Sequence, residues 1–211
     1  MKPPAKDIEI LYVDNHLLAV NKPAGLLTQP NGSGHPDLET RAQAWVKKTY
    51  GKPGNVFLHP IHRLDKPVSG IVLFARTSKA LSRLNEQMRS RTLIKIYHAE
   101  VERRPIPAEG ELRTPLTHGN HCALVQEGPN SKEAHLSYRT LETKPATTLL
   151  EVTLHTGRYH QIRAQLAHIG HPICGDTKYG VQPTSKPLAL THTTLKLLHP
   201  TKNIPLQLRL Y

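Results

Sequence analysis

Apolar and polar positions along this chain follow two rhythms, one early and one late. Ile8–Val13 and Leu17–Asn21 are apolar runs parted by Asp14-Asn15, which predicts two strands joined by a hairpin turn. The polar, Gly- and Pro-containing stretch 29–36 reads as a loop. Asp37 is then placed to cap a helix with Leu38, Ala42, Trp45 and Val46 on one face, ended by Gly51. Trp45 is assigned to the core rather than to a base-stacking platform. Ile71–Ala75 is wholly apolar and predicts a buried strand, and Ser78–Arg91 predicts a second helix with Leu81, Leu84 and Met88 inward. From Ile94 onward strand patterns dominate: Ile94–Val101, His135–Leu141, Leu149–His155, Leu188–Leu197 and Ile204–Leu210. The short turns between them predict antiparallel pairing. Gly119–Glu133 is polar and is expected to be a mobile loop. A short helix is predicted over Tyr159–His168, capped by Gly170, with Ile162, Leu166 and Ile169 on its apolar stripe and Arg163 turned away from it. The expectation is an α+β fold: a mixed, mostly antiparallel sheet flanked by helices.

One loop departs from the ordinary. His62-Arg63-Leu64-Asp65-Lys66-Pro67-Val68-Ser69-Gly70 runs straight into the apolar Ile71–Ala75 strand. A lone loop Asp is usually a turn former. Here the strand anchors the loop, so Asp65 is expected at the rim of the core, and Arg63 beside it favours the ionised form. A fixed anionic oxygen beside a dry pocket can act as nucleophile or base.

Composition narrows the partners. The 211 residues suffice for a real core, read as a single domain over 1–211 that can have two lobes. Lys and Arg number 28 against 16 Asp and Glu, a formal charge of +12, which points to a polyanionic partner. The second helix carries Lys79, Arg83, Arg89 and Arg91 outward, either as a solvated face or as phosphate contacts. Met1–Lys6 lacks an apolar leader, and no run approaches a membrane span, so a cytoplasmic location without membrane contact is expected. Cys122 and Cys174 are too few and too distant to form a disulfide framework. The His168/His171/Cys174 and His118/His121/Cys122 groupings lack the paired geometry of a zinc site, and no metal is expected.

Five segments, in order, carry a family resemblance: Asn21-Lys22-Pro23-Ala24-Gly25; the His62–Gly70 loop; Lys95-Ile96-Tyr97-His98-Ala99; Thr156-Gly157-Arg158-Tyr159-His160-Gln161-Ile162-Arg163; and Gly170-His171-Pro172-Ile173-Cys174-Gly175-Asp176. Together they resemble the RluA-type pseudouridine synthases over roughly residues 8 to 210. Two positions depart from the family pattern. Val68 replaces the usual Thr, and Leu188-Ala189-Leu190-Thr191-His192 shifts a histidine by one position, so no role is assigned to His192.

The resemblance implies a pseudouridine synthase fold with a central basic cleft and an isomerase acting on uridines in structured RNA. It makes Asp65 the catalytic carboxylate, Tyr97 the ring facing the base, and Arg163 the ion-pair partner of Asp65. His62, Arg63, Arg158 and Leu190 are expected to bind substrate. Arg63 would fill the stack vacated by the extruded base, since a guanidinium plane can replace a base face, and Arg158 would contact phosphate. Leu190 is either a pocket wall or plain core. The isomerisation gains no atoms, so no cofactor is implied. Partners are RNA, either tRNA or rRNA, and the protein is expected to be a monomer. Some relatives carry a small RNA-binding domain ahead of the core, and with a first strand near residue 8 none is expected here. The competing class is a non-catalytic RNA-binding protein that keeps the fold.

Overall fold

The computed structural model describes residues 8–180 and 185–210. The Met1–Lys6 segment lies outside them. The chain divides into two compact units, one formed by 1–93 with 194–211 and the other by 94–193.

The first unit is built on apolar strands. β1 (Glu9–Val13) and β2 (Leu17–Lys22) form the expected hairpin. Its turn closes because the Asp14 carboxylate accepts from the backbone N–H groups of His16 and Leu17, both at 2.8 Å. α1 (Leu38–Thr49) starts at Asp37, whose side chain accepts from Thr40 N, and Leu38, Ala42 and Val46 are buried. Trp45 is only half-buried and meets Tyr50 edge-on. β3 (His59–Pro60) and β2 both pair antiparallel with β4 (Ser69–Ala75). Residues 71–75 of β4 are fully buried, as their unbroken apolar run requires. α2 (Ser78–Arg89) is capped by Thr77 and lays Leu84 into a cluster with Leu17, Ile71, Leu73, Leu195 and Leu208. The partly buried Leu81 and Met88 pack against that cluster. Leu84→Ala would cost about 2–5 kcal/mol.

The second unit holds β5 (Ile94–Glu102), β6 (Glu109–His118), β7 (Ala123–Val125), β8 (Lys132–Thr143), β9 (Thr147–Leu154) and α3 (Gln161–His168). The strands pair antiparallel in the order β5-β9-β8-β6-β7. In β5 and β9 every second residue is buried, matching their alternating sequences. β10 (Leu190–Leu198) starts in the second unit and ends in the first, where it pairs antiparallel with β11 (Pro205–Arg209).

Two expectations need correction. Gly119–Glu133 is not simply a loop: β7 lies within it, pairs with β6 and buries Ala123. Only three residues make this strand, too few for their alternation to register. α3 has no polar side for Arg163 to occupy. Gln161 to Leu166 are all buried, and Arg163 is 3% exposed.

Candidate active site

The Asp65 loop is held from beneath by a buried lysine. Lys22, the last residue of β2, is fully buried, and its Nζ donates to the carbonyls of Leu26 at 2.7 Å, Pro23 at 3.1 Å and Lys66 at 3.2 Å. The same Lys66 carbonyl accepts from Gly25 N at 2.8 Å, and Gly25 has φ +84°, a conformation that favours glycine. Thr28 Oγ1 donates to Leu64 O and accepts from Leu64 N. Val68 N donates to Asp65 O, and the loop ends at Gly70, φ +118°, paired with Lys22. Backbone on both sides of Asp65 is thus fixed by polar groups from the Asn21–Gly25 element and Thr28. Asp65 is half-buried, His62 and Leu64 are buried, and Arg63 is exposed. His62 Nε2 accepts from Leu73 N at 3.4 Å, which seats its ring against β4. Burial pushes Lys22 down to about 8, while the negative charge of Asp65 acts in the opposite direction.

In the second unit, Tyr97 lies on β5, 6% exposed, and stacks on His192 of β10 with ring centroids 4.6 Å apart. His192 is fully buried. The histidine that departs from the family pattern therefore sets the face of the Tyr97 ring, a role that chain order did not reveal. Lys95, two residues before Tyr97, is also buried, and burial lowers its pKa. A Cβ on Gly157 would come within 3.3 Å of Lys95 Nζ, so this glycine makes room for the ammonium group.

Arg163 is gripped within its own unit. Its Nε and Nη2 donate to Asp176 Oδ2 and Oδ1, both at 2.7 Å, in a bidentate pair that is almost wholly buried. Asp176 Oδ1 also accepts from the N–H groups of Lys178 and Tyr179. Burial alone would raise the Asp176 pKa, but the Arg163 hydrogen bonds and charge hold it below the ordinary value. The Arg163 guanidinium also lies over the Tyr179 ring, 5.2 Å from its centroid. Burial raises the Tyr179 phenol to about 12. Asp176 closes the last of the five motif segments, and its role was missed because a Gly-Asp pair reads equally well as a turn.

Of the remaining predicted residues, Arg158 is half-buried and donates through Nε to Glu133 O at 3.0 Å, while its backbone N–H donates to Gln161 Oε1. Leu190, the first residue of β10, is 3% exposed.

The first unit thus holds a half-buried carboxylate in a loop locked by a lysine, and the second holds a stacked tyrosine on β5 and a buried arginine on α3. A family model described as RNA pseudouridylate synthase matches residues 16–168. The ribosomal large subunit pseudouridine synthase D of Xylella fastidiosa is 34% identical over 217 residues, covering 95% of this chain and 65% of that protein. The uncharacterized RNA pseudouridine synthase YhcT of Bacillus subtilis is 34% identical over 177 residues, covering 82% of this chain and 58% of that protein. The solved structure of human RNA pseudouridylate synthase domain containing 4 superposes with a TM-score of 0.81 at 25% identity, covering 96% of this chain and 88% of that one. This chain belongs to the RNA pseudouridylate synthase family. It spans only 58% and 65% of the length of the two curated bacterial relatives.

Proposed function

We propose that this protein isomerises uridine to pseudouridine in RNA, with Asp65 as the catalytic carboxylate. The observation that carries this reading is the fixed backbone around Asp65, held by Lys22, Gly25 and Thr28 inside a family motif. A carboxylate that need not be ordered on binding costs the reaction little reorganisation. The N1–C1′ bond breaks, the uracil turns, C5 bonds to C1′, and the C5 proton is lost as N1 gains one. Asp65 serves either by attacking C1′ or by taking the C2′ proton. Tyr97 packs against the base, with its ring face set by His192, and its hydroxyl serves the C5 proton. Arg163 keeps its family role as counterion to the carboxylate chemistry, while Asp176 fixes its orientation. Arg63, exposed beside Asp65, fills the stack left by the extruded base; His62 and Leu190 bound the substrate, and Arg158 contacts phosphate.

The substrate we favour is ribosomal RNA, because curated relatives bear "ribosomal large subunit" in their names; tRNA is the alternative. The charge distribution agrees with an RNA partner. The first unit has 17 basic and seven acidic residues, and the second has 11 and nine, so most of the +12 excess sits in the first. We place the protein in the cytoplasm, as a monomer. Among the described residues no helix is long and apolar enough to cross a membrane.

The test is Asp65→Asn, which keeps size and removes charge. The variant should fold and bind RNA, because Arg163 keeps its Asp176 clamp, while pseudouridine formation measured on rRNA fragments and tRNA falls below detection. Turnover near the wild-type rate in the folded variant would refute the assignment. Arg63→Ala should slow turnover without abolishing it, since the stack-filler and not the chemistry is removed.

A further inference from the structure

A column of three aromatic rings rises through the second unit. His160 forms its base, 7% exposed, with Nδ1 3.0 Å from the Tyr179 hydroxyl. Tyr159 stacks on it with centroids 3.8 Å apart and planes 19° from parallel. His118 stacks on the other face of Tyr159 at 4.7 Å and 21°. Exposure climbs along the column: Tyr159 is 41% exposed, and His118, at the end of β6, is exposed.

The column is built rather than incidental. His160 takes the left-handed conformation, φ 52°, which a non-glycine residue adopts only at a cost. The turn after His118 is tied back to this segment. Gly119 N donates to Cys122 O at 2.8 Å, and the Tyr159 hydroxyl and the Lys178 ammonium both donate to His121 O. Burial, with the positive charges of Arg163 and Lys178, pushes the His160 imidazole down to about 4, so it is a neutral ring near pH 7. Rings fixed in parallel, with the outermost one open to solvent, provide a π surface for a further flat group. Lys178, whose ammonium donates to His121 O, supplies a cation beside the turn that follows His118. Core packing alone gives no reason to expose Tyr159 and His118.

We propose that the outer face of His118 is a stacking site for an unpaired nucleobase of the RNA, a base other than the uridine undergoing reaction. The proposal rests on the RNA reading above and adds a specific contact to it. Stacking of this kind is sequence-tolerant, because every base has a π face, and so the site takes a flanking single-stranded nucleotide without selecting its identity.

The test uses short single-stranded oligouridylates carrying one 2-aminopurine, placed at a different position in each probe. Binding is read by anisotropy, and stacking by loss of 2-aminopurine fluorescence, at fixed salt. The full-length protein should quench one register of the probe. His118→Ala should lose that quench and weaken binding about 5- to 150-fold, the effect of removing one base–aromatic stack. His118→Phe should restore both, since a flat ring is what the site supplies. His118 is exposed, so neither variant should alter the thermal melt. Binding without quench in the wild type, unchanged affinity in His118→Ala, or failure of His118→Phe to rescue would each overturn the stacking site while leaving the RNA reading intact. Absence of any RNA binding by the wild type would overturn both.

Discussion

Asp176→Asn isolates the clamp on Arg163. The carboxylate accepts four hydrogen bonds: Arg163 Nε on Oδ2, and Arg163 Nη2, Lys178 N and Tyr179 N on Oδ1. An asparagine whose oxygen stays at Oδ1 keeps the backbone bonds but turns an NH2 donor toward the Arg163 Nε donor. It also removes the negative charge from beside a guanidinium that is 3% exposed. Two unit charges about 4 Å apart attract by about 4 kcal/mol at an effective dielectric near 20. Breaking a buried pair by removing one partner costs about 3–5 kcal/mol. Because the backbone bonds on Oδ1 survive, the lower end, about 3 kcal/mol, is expected. Urea unfolding should show a lower midpoint at unchanged slope, and the melting temperature should fall by about 6–12 °C. The acid limb gives a second reading. Asp176 has its pKa depressed in the folded protein, so its contribution is present above the unfolded value and is lost as pH falls through the folded one. The Asn variant should lack that component of acid destabilisation. The double variant Arg163→Met/Asp176→Asn should recover part of the loss, because it keeps the Oδ1 acceptor for Lys178 N and Tyr179 N and leaves no unpaired guanidinium buried. A loss below about 1 kcal/mol in Asp176→Asn, or no recovery in the double variant, would refute the clamp.

Two further outcomes follow from the first unit. Lys22 should titrate near 8, read by NMR of 15N-labelled lysine; its folded pKa is depressed, so its effect on stability becomes more favourable as pH rises from about 8 to its unfolded value near 10.4. Asp65→Asn should lower that midpoint further, and an unchanged midpoint would show that the two groups do not interact. RNA affinity should fall linearly on log–log axes with salt, and Lys79→Glu and Arg91→Glu on or beside the exposed face of α2 should each reduce the slope by about one phosphate contact; a flat response would remove the electrostatic reading.

Local signals in the sequence suffice for elements whose partners lie within a few residues. Asp37 and Gly51 bracket α1 because capping is a short-range hydrogen-bond problem whose partners lie within a turn. Residues 71–75 are apolar without a break, and only a strand buried on both faces tolerates that. The family motifs single out Asp65, Tyr97 and Arg163 from sequence order alone. β7 escaped because three residues carry almost no periodic information and their pairing with β6 is decided elsewhere in the chain.

Tertiary structure alone decided which polar groups are buried, and against what. Lys22 ends β2 and is fully buried because three carbonyls from two loops converge on its ammonium group. Arg163 reads as the polar side of a helix, yet Asp176, 13 residues on, draws it inward. His192 stands one place out of pattern and reaches Tyr97 only because two strands bring residues 95 positions apart into contact. Periodicity reports which face of an element is apolar. The partner that makes burial of a charge affordable comes from distant chain, and no local pattern records it.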